Sequence, residues 1–419
     1  MFKTVSEAQN WIENIKRFGS KLDLKRMEKA IEILGHPEKS FKSIHVAGTN
    51  GKGSTSTYLK NILKQAGFKV GIYTSPYVVK FNERIGINDD YISDDDLVKY
   101  ANELYPFTEA MLADDETVTF FEVLTLMSFL YFRDQKVDYA IIEVGLGGLL
   151  DATNVITPEI SVITNISYDH MKQLGNTLES IALNKLGIVK DNKPLVTSIE
   201  NVNLFPLFYE ITAKHNSRLK IVNFDMVTNI QVGPTTKFKF HENEYELQLT
   251  GYHQVKNAVL SIEVIRLLRV INHIKITEEN IRDGLYNSHW PGRFEIFNQN
   301  IVLDGAHNIG GIQALIRSAR TVFKDKYIKC LFSVMRDKEH KKMIEELDNF
   351  CDELYFTEFE YERRADAEEL FIESSHYHKS FHKDYKKIFL ELSNLSENEV
   401  LIVTGSLYFI SEIRKMLVE

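Results

Sequence analysis

The sequence predicts an α/β protein of two domains, in which buried strands alternate with amphipathic helices. Short apolar runs rich in β-branched residues are followed by turns and then by apolar residues at helical spacing. Such runs lie at 43–47, 70–74, 137–144 and 160–166, and a long apolar helix is expected from Thr119 to about Arg133. After Pro291 and Gly292 the alternation begins again, with strands expected at 301–303, 328–334, 353–357 and 400–404. Because a proline-glycine pair is typical of a turn, and here separates two complete patterns of strands and helices, we expect domains at 1–292 and 293–419.

Composition and charge limit the classes of function. The chain of 419 residues is long enough for two separate cores. It has 59 acidic and 50 basic side chains and no long basic run, so nucleic acid is not expected as the main partner. Two cysteines, Cys330 and Cys351, are too few for a disulfide framework. The N-terminus has no signal-peptide core and no apolar run is long enough to span a bilayer, so we expect a cytoplasmic protein without a membrane partner.

A glycine-rich turn at 48–53 joins the first buried strand to a helical pattern, whose apolar residues recur from Tyr58 onward. Its glycines allow backbone N–H groups to close around an anion, and Lys52 adds a positive charge. Ser54 or Thr55 offers a hydroxyl for a metal ion. Val46 stands where the first glycine of the standard phosphate loop would fall, but the order of strand, turn, lysine, hydroxyl and helix is kept. We therefore predict a P-loop-type ATPase domain with a mixed, mainly parallel sheet, followed by a smaller, Rossmann-like α/β domain.

Polar residues follow several of the expected strands. Glu143 lies near the carboxyl end of a buried strand, at the edge where doubly wound sheets bind ligands, so we favour a magnesium ligand over a structural hydrogen-bond acceptor. Ser75-Pro76-Tyr77 is either a simple turn or a site loop. Residues 223–249 alternate between polar and apolar side chains, which predicts a β-hairpin in a peripheral meander. Asn257 lies early in the next helix, where it caps the helix or contacts a ligand.

Nine ordered motifs resemble the folate-dependent branch of the ATP-dependent Mur ligase family, the folylpolyglutamate synthases and dihydrofolate synthases. The resemblance covers nearly the whole chain. The motifs are residues 48–54 (GTNGKGS), 74–76 (TSP), 81–85 (FNERI), 143–148 (EVGLGG), 151–154 (DATN), 169–170 (DH), 185–188 (KLGI), 290–293 (WPGR) and 304–308 (DGAHN). So many motifs in one order exclude chance similarity.

The resemblance implies an ADP-forming ligase of folate biosynthesis and one-carbon metabolism. Such an enzyme adds L-glutamate to a folate through an acyl phosphate. The resemblance also implies dihydropteroate as a second possible acceptor of glutamate. The implied cofactors are ATP, two magnesium ions and a carbamylated Lys185, with a monovalent cation left open. We expect a monomer. Its second domain is expected to complete a site opened by the first and to close before the reactive intermediate can hydrolyse.

The resemblance also implies a role for each matching residue. The catalytic residues are Lys52, Lys185 and His307. The ATP-binding residues are Gly48, Thr49, Asn50, Gly51, Lys52, Gly53, Ser54, Asn257, Arg293 and Asp304. The metal ligands are Ser75, Glu143 and His170. The folate side consists of Pro76, Tyr77 and Asp151, and the glutamate side of His307, Ser406 and Tyr408.

Three positions depart from the family pattern. Tyr77 replaces a histidine or phenylalanine, Leu149 replaces a frequent arginine, and Asn184 replaces an acidic residue. The first two lie on the folate side, so they bear on pterin preference and not on ATP chemistry. Two alternatives stay open: a phosphate-loop nucleotide switch or kinase, and a Mur-type peptidoglycan ligase.

Overall fold

The structure is a computed structural model that describes residues 1–16, 23–113 and 118–418. Its contacts divide the chain into two compact units. The first unit comprises 1–166, 174–223 and 257–285, and the second comprises 167–173, 224–256 and 286–419. Both units alternate strands and helices, so the predicted α/β class is confirmed. The boundary at 292/293 stays a prediction, and the structure adds that residues 167–173 and 224–256 group with the C-terminal unit.

The elements are numbered in chain order. The strands are β1 (Lys42–Ala47), β2 (Val70–Tyr73), β3 (Ile85–Ile87), β4 (Asp90–Tyr91), β5 (Tyr139–Glu143), β6 (Ile160–Ile163), β7 (Leu195–Thr197), β8 (Leu219–Ile221), β9 (Val227–Val232), β10 (Thr236–Phe240), β11 (Asn243–Leu247), β12 (Glu295–Phe297), β13 (Ile301–Asp304), β14 (Tyr327–Phe332), β15 (Glu353–Thr357), β16 (Lys379–His382) and β17 (Glu399–Thr404). The α-helices are α1 (Val5–Asn14), α2 (Lys25–Ile33), α3 (Lys52–Gln65), α4 (Asp94–Ala113), α5 (Phe120–Asp134), α6 (Met171–Leu174), α7 (Leu178–Leu186), α8 (Phe205–Lys214), α9 (Tyr252–Ile271), α10 (Glu278–Tyr286), α11 (Ile309–Val322), α12 (His340–Asp348), α13 (Ala367–Glu373), α14 (Tyr385–Leu392) and α15 (Leu407–Val418).

The first unit is built on an eight-stranded sheet in the order β4-β3-β2-β5-β1-β6-β7-β8. The strands from β2 to β8 in this order are parallel, and β3 and β4 are antiparallel, as a mixed, mainly parallel sheet requires. The chain passes from β5 on one side of β1 to β6 on the other. The carboxyl end of β1 is therefore the point where the direction of winding reverses, and ligands bind at such points in open α/β sheets.

Helix α5 supplies much of the core of the first unit. Thr119 caps it, because Thr119 Oγ1 accepts a hydrogen bond from the backbone of Glu122 and the Glu122 carboxylate accepts one in return. Every residue from Glu122 to Phe132 is buried. The Arg26 guanidinium donates to the buried Glu122 carboxylate at 2.9 Å, which pairs that charge. The apolar helix predicted near residues 119–133 is confirmed.

The second unit contains a six-stranded sheet in the order β12-β13-β17-β14-β15-β16. All neighbours are parallel except β12 and β13. Strand β13 pairs in parallel with β17, and their last residues, Asp304 and Thr404, are register partners. The loops after these two strands thus begin at the same edge of the sheet.

A separate antiparallel sheet of β9, β10 and β11 confirms the hairpin predicted from residues 223–249. It groups with the second unit. Among the described residues, no helix combines the length and the apolar character needed to cross a membrane.

Candidate functional site

The turn after β1 has no room for a side chain at Gly48 or Gly51. Gly48 and Gly51 have φ values of +150° and +83°, a region that favours glycine. A Cβ atom on Gly48 would lie 1.8 Å from Thr164 Oγ1, and one on Gly51 would lie 2.4 Å from Asn257 Oδ1. Thr164 Oγ1 also donates a hydrogen bond of 2.6 Å to the carbonyl of Asn50. Residues after β6 and on α9 therefore enclose the turn predicted to bind phosphate.

Asn165 holds the tip of the same turn. Its carbonyl accepts from the N–H of Thr49 at 3.1 Å, and its side-chain oxygen accepts from the N–H of Asn50 at 3.0 Å. The Lys52 ammonium lies over the turn and donates to the carbonyls of Gly48 at 3.1 Å and Thr49 at 3.3 Å. The turn is thus held in place by Asn165, and a cation lies at its junction with the N-terminus of α3, which is an arrangement that binds phosphates.

Helix α3 starts at Lys52, earlier than the helical spacing from Tyr58 indicated. Ser54 and Thr55 therefore lie in its first turn, and both are buried. Within the described part of the chain, Thr55 Oγ1 has no hydrogen-bond partner. Buried hydroxyls at a helix N-terminus suit an anion or its metal ion, because the helix dipole adds positive potential there.

Glu143 and Ser75 lie at the same sheet edge as the glycine turn. Glu143 is the last residue of β5, is buried, and is the register partner of Val46 on β1. Ser75 follows Tyr73, the last residue of the neighbouring strand β2, by two positions. A carboxylate and a hydroxyl are hard oxygen donors of the kind that Mg²⁺ prefers, so these two predicted ligands fit that ion.

Lys185 lies in the last turn of α7 and is buried. The loop after β5 packs on this turn: the N–H of Leu149 donates to the carbonyl of Asn184 at 2.8 Å, and Asn154 Nδ2 donates to the carbonyl of Gly187 at 2.9 Å. The loop that carries the folate-side candidate Asp151 is therefore fastened directly to the turn that carries Lys185.

Tyr77 on the predicted folate side contacts a buried cation. The Arg84 guanidinium lies 5.0 Å from the centre of the Tyr77 ring, 5.7 Å from that of Phe81 and 5.3 Å from that of Phe120. Pro76 precedes this ring in a cis peptide with Ser75. No role was predicted for Arg84 within the FNERI motif, because Phe120, which completes the aromatic surroundings of its guanidinium, comes from a distant segment.

Asp304 ends β13 in the second unit and is buried. It accepts hydrogen bonds from the N–H of Phe294 at 2.8 Å and of Ala306 at 2.9 Å. Burial raises the pKa of Asp304, and the nearby Arg293 guanidinium opposes that rise. The predicted nucleotide residues Arg293 and Asp304 thus interact with each other.

His307 is held in one tautomer. Its Nδ1 lies 2.9 Å from the carbonyl of Gly305, and because a carbonyl only accepts, Nδ1 carries the proton. Burial, followed by the positive charge of Lys338, lowers the pKa of His307 to about 3. The ring is therefore neutral near pH 7. Its Nε2 lies 3.7 Å from Asp169 Oδ2.

Asp169 forms the centre of a buried polar cluster in the second unit. Lys338 Nζ donates to Oδ1 at 2.7 Å, and Asn308 Nδ2 donates to Oδ2 at 3.0 Å. Burial opposes ionisation, but the charge of Lys338 holds the pKa of Asp169 well below its usual range. The predicted metal ligand His170 is the next residue, and its Nε2 lies 3.9 Å from Asp169 Oδ1.

Lys338 was not among the residues predicted from the sequence. It follows β14 by six residues, at the carboxyl edge of the second sheet, and that position was the available signal. The side chains of Lys338 and Asp169 are 12% and 9% exposed, so this ion pair is buried. A buried carboxylate after β6 required a cation that no local sequence pattern indicates.

The glutamate-side candidates Ser406 and Tyr408 follow β17. Ser406 is buried, and its carbonyl accepts from the N–H of Ile410 at the start of α15. The Tyr408 ring stacks on Tyr361 with centroids 4.6 Å apart. Asn257 is the sixth residue of α9, so the interpretation of that residue as a helix cap is wrong, and its side chain lies against the glycine turn.

Comparison with known proteins agrees with this arrangement. Residues 46–265 match the Mur ligase middle domain, and residues 292–407 match the Mur ligase, glutamate ligase domain. The chain is 39% identical, over the full length of both proteins, to a dihydrofolate synthase/folylpolyglutamate synthase of Bacillus subtilis.

Two solved structures share the whole fold. The apo form of the folylpolyglutamate synthase of L. casei superposes with a TM-score of 0.88 at 30% identity, covering 100% of both chains. The E. coli FolC protein in complex with DHPP and ADP gives 0.87 at 25% identity, covering 99% of this chain and 97% of the other. The chain therefore belongs to the Mur ligase family, in the branch of the folylpolyglutamate synthases and dihydrofolate synthases.

Proposed function

We propose that this protein is an ATP-dependent ligase that joins the amine of L-glutamate to a carboxylate of a folate, releasing ADP and phosphate. The observation that carries this proposal is the enclosed glycine turn with Lys52 at the carboxyl end of β1, in a chain that matches both Mur ligase domains. A triphosphate is the ligand class that such a turn binds best.

The first step transfers a phosphoryl group between anions. An oxygen of the acceptor carboxylate bonds to the γ-phosphorus of ATP, the bond to the β,γ-bridging oxygen breaks, and ADP leaves with that electron pair. Two unit charges about 4 Å apart repel by about 4 kcal/mol at an effective dielectric near 20. Lys52 and the N–H groups of residues 51–53 offset that repulsion, because they are fixed before the charge moves.

We infer that Ser75, Glu143 and His170 hold magnesium, with two ions in all. The ions would neutralise charge on the phosphate oxygens. Support comes from the shared sheet edge of Ser75 and Glu143 and from their oxygen donors. Carbamylation of Lys185 would convert a buried cation into an anionic oxygen ligand for metal. A monovalent cation remains open, and we assign no residue to it.

The second step forms the amide. The glutamate nitrogen bonds to the carbonyl carbon of the acyl phosphate, the tetrahedral intermediate expels phosphate, and the nitrogen loses a proton. We infer that His307, Ser406 and Tyr408 receive glutamate, because they follow the adjacent strands β13 and β17 at one sheet edge. The neutral His307 ring, with its proton fixed on Nδ1, keeps Nε2 as an acceptor.

Dihydropteroate is a second acceptor. The Bacillus subtilis relative is named for both activities, and the motif Asp151-Ala152-Thr153-Asn154 resembles that of bifunctional enzymes. An assay that supplies tetrahydrofolate and dihydropteroate separately, with ATP and glutamate, will measure each activity as ADP released.

The proposal requires ADP release that depends on both glutamate and a folate-type acceptor. With an acceptor labelled by ¹⁸O in its carboxylate, one labelled oxygen should appear in the released phosphate by ³¹P NMR, because the acyl phosphate loses its bridging oxygen. Nucleotide hydrolysis indifferent to glutamate would instead indicate a nucleotide switch. Phosphoryl transfer to another protein would indicate a kinase, and turnover of a UDP-sugar acceptor a peptidoglycan ligase.

The carbamate has its own test. Lys185→Ala should lose activity, and short-chain carboxylic acids should restore part of it by supplying the missing oxygen ligand. ¹³C NMR of the wild-type protein in ¹³C-bicarbonate should show a carbamate signal that Lys185→Ala lacks and the control Lys193→Ala, in a part-exposed pair with Glu159, retains. Near-normal activity of Lys185→Ala would reject this role.

A further inference from the structure

A buried histidine lies in the central strand of the first sheet, outside the residues assigned above. His45 is on β1, fully buried, between Ile142 of β5 and Ser161 of β6. Burying an imidazole is costly unless it is hydrogen bonded. Its Nε2 lies 2.8 Å from Oγ1 of Thr153, which is also fully buried.

Thr153 passes this interaction on to Asp151. Thr153 Oγ1 donates to Asp151 Oδ1 at 2.5 Å, and the N–H of Thr153 donates to the same oxygen at 3.1 Å. The N–H of Leu146 donates to Asp151 Oδ2 at 2.8 Å. One carboxylate therefore bridges the beginning and the end of the loop 145–154.

The proton positions follow from counting donors. A threonine hydroxyl has one proton, and here it goes to Asp151, so Thr153 Oγ1 must accept from His45 Nε2–H. The opposite arrangement would place a proton on His45 Nδ1, which has no hydrogen-bond partner among the described residues. A buried N–H donor without a partner is rarer than a buried acceptor without one. Burial, followed by the charge of Lys190, also lowers the pKa of His45 to about 3, so the ring is neutral.

The loop fixed in this way determines where the C-terminal turn of α7 lies. The hydrogen bonds from Leu149 and Asn154 to that turn leave little freedom between them. A Cβ atom on Gly187 would lie only 2.4 Å from the Cα of Leu149, so the two backbones are already in close contact. A displacement of the loop must therefore displace the turn of Lys185 as well.

We propose that His45 and Thr153 are positioning residues of the ligase, which act through Asp151 and the loop 145–154 on the acceptor side and on Lys185. The inference rests on the proposed function. Both residues are fully buried, so they act through other groups and not by direct contact with substrate. Their hydroxyl and imidazole protons orient the Asp151 carboxylate, and the glycine turn at 48–53 has separate anchors in Thr164 and Asn165.

The kinetic test compares Thr153→Val, which removes the hydroxyl at nearly constant shape, with Thr153→Ser, which keeps it. Thr153→Val should lower kcat/KM for the folate acceptor by about 10- to 100-fold, the size typical of lost supporting hydrogen bonds around a site. The KM for ATP should stay within about twofold. Thr153→Ser should recover most of the loss.

Thr212→Val is the matched control, because Thr212 is also buried and its Oγ1 donates to the carbonyl of Phe208 at 2.7 Å within α8. This variant should lose stability without a change in the KM for the folate acceptor or in the KM for ATP. A purely structural role for Thr153 would make the two valine variants alike.

A second readout does not depend on activity. ¹⁵N NMR of the full chain, with the His45 signals assigned from their loss in His45→Gln, should show a neutral ring protonated on Nε2 throughout pH 5–8. Thr153→Val should shift those signals and Thr212→Val should not. A ring protonated on Nδ1 would overturn the inference.

The outcomes separate the two proposals. An active ligase in which Thr153→Val behaves like Thr212→Val overturns the positioning role alone. A wild-type protein that releases no ADP in the presence of glutamate and either acceptor overturns the proposed function and the catalytic consequence drawn from it, even when the tautomer is as stated.

Discussion

The two units present different chemistry at the carboxyl edges of their sheets. In the first unit the edge offers backbone amides, glycines without room for a side chain, and Lys52. In the second unit the edge offers charged and aromatic side chains, with Asp304, His307 and Lys338 in fixed hydrogen bonds or ion pairs. A polyphosphate carries charge spread over many oxygens, so a run of N–H groups matches it. A small amino acid needs a few discrete partners.

This contrast predicts different failures in the two units. Changes in the first should cost chemistry with little loss of stability. Changes in the second should cost stability, because its side chains are buried charges that depend on one another.

Lys52→Ala should give the largest effect and sharpens the first half of the contrast. If Lys52 binds the transferring phosphoryl group, as proposed, its removal should lower kcat by at least about 10³-fold, while the urea unfolding midpoint changes little. The control is Lys64→Ala on the same helix, whose ammonium pairs with the exposed Asp89. Steady-state ADP release measures both, and retained activity in Lys52→Ala would reject its phosphate role.

Lys338→Met tests the prediction that changes in the second unit cost stability. It leaves the Asp169 carboxylate buried without its ion-pair partner, so the free energy of unfolding of the second unit should fall by about 3–5 kcal/mol. Urea unfolding measures the loss. Lys342→Met, which removes an exposed ammonium paired with Glu339, should change the free energy of unfolding far less than Lys338→Met does. Equal effects of the two variants would contradict a buried pair.

The acid sensitivity of the two units should be alike, which limits the contrast. Burial, followed by nearby positive charge, lowers the pKa of His45 to about 3 and of His253 to about 4. Below the unfolded pKa near 6.5 the unfolded chain binds protons that the folded chain does not, so stability falls as the pH drops. Each histidine should account for about 2 kcal/mol between pH 7.5 and 5.

Urea unfolding of His45→Gln and His253→Gln at both pH values measures these contributions. Each variant should show a smaller stability difference between the two pH values than the wild-type protein. An unchanged difference would mean that the histidine takes up a proton at pH 5 in the folded protein as readily as in the unfolded chain.

Tyr361→Ala should give the smallest effect. It removes the stacking partner of Tyr408, and aromatic pairs contribute about 0.5–1.5 kcal/mol beyond buried area. The KM for glutamate should rise by up to about tenfold and the KM for ATP should stay constant. A shift in the KM for ATP instead would place Tyr408 on the nucleotide side.

The sequence predicted the parts of the molecule that local patterns encode. The glycine turn, the end of β5 at Glu143 and the end of β13 at Asp304 were predicted because strand, turn and helix signals are adjacent there. The short strands β3, β4, β12 and β16 were missed, since two to four residues give no periodicity. Helix α3 begins earlier than predicted because its first turn is polar.

Contacts between distant segments could not be predicted. Nothing near Lys338 indicates Asp169, which precedes it by 169 residues. The interaction of His45 with Thr153 spans 108 residues and leaves no pattern in either segment. Asn257 was interpreted either as a cap or as a ligand contact, and only the fold shows that it lies against Gly51. Such pairs follow from strand order, which the sequence alone does not specify.

The position of Asn257 has a consequence for synthesis of the chain. One wall of the phosphate-binding turn comes from a residue about two hundred positions downstream, on α9. A nascent polypeptide on the ribosome therefore carries an open, unfinished turn until α9 has emerged from the exit tunnel. If this turn binds nucleotide, as proposed, nucleotide capture is consequently a late event in translation, although Lys52 is made among the first sixty residues.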